Sequence, residues 1–347
     1  MNKCIYCEKL DNEVNFTSQD HVFPASIGGT FQLPVGLVCD SCNMDYFSKL
    51  ELDFSRNSII SLPRQFVGPG KRGSLSPKKA TSSNIHIIYN PITGEKSLGY
   101  TKLGEPFNIQ QIAFKETEGE IIILNPLEGE VNEQLKNFEH ALLSFSGKIK
   151  FIEDEILDEK EFYFGFHDKK YYLAATDRDV IHKINNYIQL LKNGKLVETF
   201  RSYSQNHVQV RQHLQFNVDV FNRVCGKVAY NALWYLKGEA LREKKDLSDF
   251  RNWIRYGGEN KFVIMLPKEN DPFKGKLSFA FPKLSHRIIF KYELNGIFSA
   301  FLNLYGNFSF LIRLSKSTET NNMLTGIICD WEEQVDYKLH EYFARIS

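Results

Sequence analysis

The chain has 347 residues, 42% hydrophobic and 24% charged, the composition of a globular protein long enough to bury more than one core. Lys and Arg number 43 against 42 Asp and Glu, a net charge of +1, so bulk charge does not announce a nucleic-acid binder and any positive surface has to be local. No run approaches the ~20 apolar residues of a membrane helix, the N-terminus lacks the apolar stretch of a secretory signal, and six cysteines in this length exclude a disulfide scaffold, so the cytoplasm is the expected location and no membrane partner is expected.

Residues 1–56 are turn-rich and carry two cysteine pairs, Cys4-x-x-Cys7 and Cys39-x-x-Cys42. Residues 57–84 hold Gly68, Pro69, Gly70, Gly73, Pro77 and several serines, the composition of a linker or extended arm. Between Asp53 and Glu95 there is no acidic residue, while Arg56, Arg64, Lys71, Arg72, Lys78 and Lys79 are all basic. That segment reads either as a solvated linker or as an arm along a phosphate backbone.

From 85 to 175 the pattern is strand-like. Ile85–Tyr89 precedes a turn signal at Asn90–Gly94 and a second strand at Ser97–Tyr100. Glu120–Leu124 has the length and apolarity of a buried strand, and Phe162–Phe166 with Tyr171–Ala175 flank a hairpin turn. A helix is predicted from Asn132 toward Ser144. From 176 to 257 helical spacing dominates: Val180, Ile184, Tyr187 and Leu190 share one face, and Val218 to Leu236 form a longer, broadly apolar helix stopping near Gly238. A further helix runs from Asp246 through Ile254 to Gly257. Strand signals return at Phe262–Leu266, His286–Phe290 and Phe308–Ile312. The tail, Cys329 to Arg345, spaces Trp331, Val335, Leu339 and Phe343 helically. Cys225 and Cys329 sit alone in apolar surroundings and read as small buried hydrophobes. The expectation is an α+β protein. It has a zinc-stapled module at 1–56, a basic linker or arm at 57–84, and a recognition or regulatory region at 85–347, itself divisible at 175/176.

Two Cys-x-x-Cys pairs in a reducing compartment are best explained by structural zinc. Four soft thiolates satisfy tetrahedral Zn²⁺ and leave no open position, so the ion holds the fold and does no chemistry. Between the pairs stand Asp20-His21-Val22-Phe23-Pro24 and Ile27-Gly28-Gly29, and the second pair continues into Asn43. This order of Cys-x-x-Cys, acid-His-x-x-Pro, Gly-Gly and Cys-x-x-Cys-Asn resembles the HNH endonuclease family in its zinc-stapled ββα-metal form. The resemblance covers only the first sixth of the chain.

The resemblance implies roles. His21 is the general base that takes a proton from the attacking water, a task suited to an imidazole with an ordinary pKa of about 6.5. Asp20 holds a catalytic Mg²⁺ or Mn²⁺, and Asn43 adds a second ligand. Asn43 also suits a helix N-cap. DNA is the implied substrate. Restriction or anti-phage defence is the implied setting, and a homodimer is implied wherever both strands are cut. An activating ligand or protein partner through 85–347 is a further reading of the large second region. Two departures stand out. Pro34 occupies the position where many members carry an asparagine that orients the base, and the third letter of the family name falls to Asn43 or is lost at Phe47. Phe47, Leu50 and Phe54 continue the helical face begun at Asn43 and are expected to pack on the module, with Glu51 either near the metal or solvated. The competing reading is a zinc-containing nucleic-acid-binding or scaffold protein with an inactive HNH site.

Beyond residue 56, the segment Phe221–Leu233 loosely resembles a helix of the C-terminal parts of HNH proteins. Lys227 and Asn231 lie four apart on this otherwise apolar helix and need partners. Structural hydrogen bonds and a ligand site both remain open for them.

Overall fold

A computed structural model describes residues 2–125, 129–195, 202, 209–210, 216–241, 245–274, 280–292, 297–316 and 325–346. The architecture is mixed α and β with three sheets among the described residues. Contacts divide the chain into two compact units, Met1–Thr81 with Leu214–Ser347, and Ser82–His213. These cut across the expected segments 1–56, 57–84 and 85–347. Residues 57–81 stay with the cysteine module, and the last third of the chain returns to it.

The first unit opens on turns held by two single antiparallel bridges, Lys3 to Leu10 and His21 to Gln32. A π-helical stretch, Ser41–Phe47, then runs into α1, Ser48–Asn57, followed by α2, Ser61–Phe66. The basic segment is not a free arm throughout. Arg64 is buried and donates to the carbonyls of Ser55 (2.7 Å) and Gly70 (3.3 Å) and to Thr81 Oγ1 (3.0 Å). Arg56, Lys71, Arg72, Lys78 and Lys79 remain exposed.

The second unit carries β1 (His86–Tyr89), β2 (Lys96–Lys102), β3 (Glu105–Asn108), β4 (Gln110–Lys115), β5 (Gly119–Ile123), α3 (Val131–Leu143), β6 (Ile149–Ile152), β7 (Glu161–His167), β8 (Lys170–Ala174), α4 (Ile181–Lys192) and β9 (Gln209–Val210). They form two sheets, ordered β3-β2-β1-β9 and β5-β4-β7-β8-β6. The β7–β8 hairpin turns through Asp168 and Lys169, both at positive φ, a two-residue connection matching the twist of the strands. Glu120–Leu124 was expected to be a buried strand. As β5 it lies at a sheet edge and pairs only with β4, so its apolar residues are half-covered.

The chain re-enters the first unit with α5, Val218–Lys237, whose N-cap Asn217 accepts from the Val220 amide. After α6 (Ser248–Tyr256) come β10 (Val263–Met265), β11 (His286–Tyr292), β12 (Ile297–Leu304), β13 (Phe308–Lys316), β14 (Thr325–Asp330), β15 (Val335–Lys338) and α7 (Leu339–Ile346). The sheet order is β10-β13-β12-β11-β14-β15. The helix expected from Cys329 onward begins only at Leu339. Ile327 and Ile328 are β-branched, the run Ile327-Ile328-Cys329 pairs with β11, and Val335 lies in the next strand.

The larger of two hydrophobic cores in the first unit joins the cysteine module to the C-terminal part. Ile5, Tyr6, Phe23, Ile27, Phe47 and Phe54 of the cysteine module bury with Val224, Val228 and Leu233 of α5 and Ile288, Leu302 and Ile327 of the sheet. The Gly-Gly step sits at this junction. Gly28 has φ +97, and a Cβ there would stand 2.3 Å from Cβ of Trp331. Asp336 of β15 accepts from the Thr30 (2.9 Å) and Phe31 (2.7 Å) amides, and His286 of β11 hydrogen-bonds the Ile27 carbonyl at 2.9 Å.

Candidate active site and cysteine cluster

The cysteine cluster sets the local frame. The sulfurs of Cys4, Cys7, Cys39 and Cys42 all lie within 4.8 Å of one another. The Cys7–Cys39 separation of 3.6 Å is close to the edge of about 3.8 Å expected for a tetrahedron with Zn–S bonds of about 2.3 Å. Four thiols at this spacing fit Zn²⁺ and leave no position for substrate, so the cluster is a candidate structural zinc site. A hydrogen bond with Cys42 holds the Cys4 thiol down at about 5, and the same bond pushes Cys42 up. Arg255 of α6 donates through Nε to Cys42 Sγ at 3.3 Å while lying over the Tyr46 ring, so a guanidinium offsets the negative charge of the thiolates.

The second knuckle positions the segment before the acid-His pair. Asp40, between Cys39 and Cys42, accepts from the amides of Thr17 and Ser18 and from both hydroxyls, Ser18 Oγ at 2.7 Å. Burial works against its charged form, but these hydrogen bonds outweigh it and hold the carboxyl below its usual value. Asn43 donates through Nδ2 to Ser18 Oγ (3.0 Å) and to the Gln19 carbonyl (3.2 Å). It lies within the helical stretch and is not the N-cap residue.

Adjacent side chains on the extended segment then point to opposite sides. His21 is half-buried, and Asp20 is inside, 3% exposed. Gln32, the bridge partner of His21, brings its side-chain amide to 3.0 Å from Nε2. With Pro34 in the place of the orienting asparagine, a backbone carbonyl is the expected brace for the base; the group that reaches the ring is the side chain of Gln32. The available signal was the hairpin pairing, which sets position 32 opposite position 21. The amide's N and O are assigned from the hydrogen-bond network. Placed so, Gln32 Nε2 donates to the ring's Nε2, and the ring proton is carried on Nδ1. Burial pulls the His21 pKa below its usual value; Asp20 opposes and Lys227 adds to the shift, so the ring is neutral at pH 7.

Asp20 is held from a helix 200 residues away in sequence. Its Oδ1 accepts from Lys227 Nζ at 2.7 Å and its Oδ2 from Asn231 Nδ2 at 3.0 Å. Asn231 also donates to the His21 carbonyl (2.8 Å) and accepts from Tyr6 Oη (2.7 Å). Lys227 donates to Glu51 Oε1 at 2.7 Å as well, and its ammonium stands 5.4 Å from the centre of the Phe47 ring. So Lys227 and Asn231 take buried hydrogen bonds, and Glu51 is largely covered and ion-paired. Burial disfavours the lysine's charge, yet Asp20 and Glu51 raise its pKa overall. Burial lifts the Glu51 carboxyl, with Asp20 adding and Lys227 opposing.

The divalent metal that the resemblance assigns to Asp20 and Asn43 does not fit this arrangement. Mg²⁺ demands octahedral oxygen ligation and keeps several waters. Here both Asp20 oxygens already accept hydrogen bonds, one from an ammonium, and the residue is 3% exposed.

Residues 4–59 match the family model described as HNH endonuclease, about a sixth of the chain. The match is confined to this N-terminal segment, which carries both cysteine pairs and the Asp20-His21 step. No curated protein and no solved structure matches the chain. No helix among the described residues is long and apolar enough to cross a membrane.

Proposed function

We propose that the protein is an endonuclease hydrolysing phosphodiester bonds in DNA, with His21 as general base. The observation that carries the reading is His21 itself. It is a half-buried, neutral imidazole, braced by Gln32 at the ring and by Asn231 at its carbonyl, inside a segment matching the HNH family. The ring takes a proton from water as the water oxygen bonds to phosphorus. The bond to the departing sugar oxygen breaks, and that oxygen is protonated by solvent. Cys4, Cys7, Cys39 and Cys42 would hold Zn²⁺, which would keep the two knuckles in register, and Asp40 ties the second knuckle to Thr17 and Ser18 ahead of His21. No step is routed through a metal at Asp20 and Asn43. Their part in this chemistry is to hold the segment that carries the base.

The recognition or regulatory role expected of 85–347 narrows to 82–213, because 214–347 shares the core of the nuclease unit. That second unit is where a target feature, an activating ligand or a protein partner would be read. The placement in restriction or anti-phage defence, in the cytoplasm, rests on the resemblance, as does dimerisation for double-strand cutting.

One observation favours the competing reading of a binder with an inactive site: Asp20 is sealed from solvent and cation-paired. Plasmid nicking separates the two. Wild type is assayed beside His21→Ala, with Mg²⁺ or Mn²⁺ and without, on unmodified and modified DNA. Nicking by wild type that falls about 10²–10⁴-fold in the variant supports the hydrolase. Equal nicking by both, or none by either with DNA binding intact, supports the binder.

A further inference from the structure

The acid-His pair is clasped from outside the matched segment. Lys227 and Asn231 are one helical turn apart on α5, so both side chains reach the same place. The side chain of Lys227 is 2% exposed and that of Asp20 3%, while Glu51 is 20% exposed on the other side of the ammonium. Two carboxylates thus converge on one nitrogen at 2.7 Å each, and an aromatic ring covers it. A pair of acids converging on a common point is the donor set a hard cation seeks. In this chain the cation is covalently supplied.

We infer that Lys227 is the resident cation of the Asp20–Glu51 pair, standing where a divalent ion would otherwise sit and excluding it. The inference deepens the hydrolase reading, since it makes hydrolysis at His21 independent of a metal on Asp20; its test reads metal binding and needs no turnover. Three features support it. A divalent ion on Asp20 would meet an ammonium on the same carboxylate oxygen, and like charges at that range repel strongly in a site of low dielectric. The ion's retained waters have no room beside a side chain this buried. Removing the lysine would leave two buried acids without a counter-charge, the condition under which a divalent ion binds.

The test titrates full-length, zinc-loaded protein with MnCl₂ and reads free Mn²⁺ by electron paramagnetic resonance. The quantity scored is the uptake that Asp20→Asn removes. Wild type is expected to show none at millimolar Mn²⁺. Lys227→Ala is expected to take up about one ion per chain, the occupancy of a single oxygen-ligand site, and Lys227→Ala/Asp20→Asn to lose it. Wild-type uptake removed by Asp20→Asn overturns the inference, and so does a folded Lys227→Ala that takes up no ion. Should the variants fail to fold, Mn²⁺ broadening of the His21 imidazole resonances in wild type reads the same site. Selective broadening there overturns the inference, and unbroadened signals support it. Absence of nicking would sink the hydrolase reading and leave this result unaffected.

Discussion

The two units bury different kinds of polar group. In the first, Asp20, Arg64, Arg223, Lys227, Arg287, Asp330 and Asp336 are all buried, together with a fully enclosed His286. In the second, the buried polar residues among those described are Asn90, Ser97, Thr101, Gln111, Asn125 and Gln134, all uncharged. An uncharged amide needs only its hydrogen bonds. Gln111 meets this need by accepting from the Leu98 amide and donating to the Leu98 and Ile109 carbonyls. A buried charge costs more and is met here either by counter-charges, as for Lys227, or by several hydrogen bonds, as for Arg64; a well-packed apolar substitute is often as stable. Among the described residues fully buried charges are confined to the first unit, while the Lys96–Glu161 pair of the second keeps some exposure. The first unit is the one carrying the HNH match.

The contrast can be broken by experiment, and all three tryptophans (Trp234, Trp253 and Trp331) lie in the first unit, so their fluorescence reports its unfolding alone. The largest expected effect is Lys227→Ala, which leaves Asp20 and Glu51 without a cation. A loss of about 3–5 kcal/mol is expected in the tryptophan-detected urea transition. A loss under 1 kcal/mol would mean the charges are not mutually dependent.

Acid should act on the first unit next. Burial holds His286 down at about 3, with the Ile27 carbonyl opposing the shift and Arg287 adding to it. The unfolded imidazole binds its proton below about 6.5, so from about pH 6.5 to about pH 3 the unfolded state holds more protons and stability falls as pH falls. His286→Gln should flatten the pH dependence of the tryptophan-detected melting temperature in that window. A parallel curve would assign the acid sensitivity elsewhere.

Gln111→Leu sharpens the comparison from the other side. It strands buried backbone groups without stranding a charge, and about 1–3 kcal/mol is expected, seen by far-ultraviolet circular dichroism with the tryptophan transition unmoved. A loss equal to that of Lys227→Ala would erase the distinction between the units.

The smallest effect belongs to the exposed bases. Replacing Lys71, Arg72, Lys78 and Lys79 with glutamine should leave both transitions in place. Each phosphate contact removed should lower the slope of log K against log salt by about 0.9 in DNA-binding titrations. An unchanged slope returns the segment to a linker.

Short-range signals carried the local features of this chain. The cysteine pairs, the Asp20-His21 step, the Gly-Gly turn and Asn43 are read from adjacent residues, because a knuckle or a tight turn is specified within a few positions. The hairpin at 167–170 and helices α3, α5 and α6 follow likewise from local periodicity and turn residues. Whatever depends on partners distant in sequence was decided by the tertiary structure. Spacing alone made the tail look helical from Cys329, but pairing with β11 takes its first residues as strand. Arg64 looked like one more base of an arm until the Ser55 and Gly70 carbonyls enclosed it. Asp20 looked like a metal ligand, and Lys227 like a polar misfit on an apolar helix, until two residues 207 positions apart in sequence met at 2.7 Å. A residue type announces the charge it carries; which opposite charge reaches it, and whether water is shut out, is fixed only when the two ends of the chain close on one core.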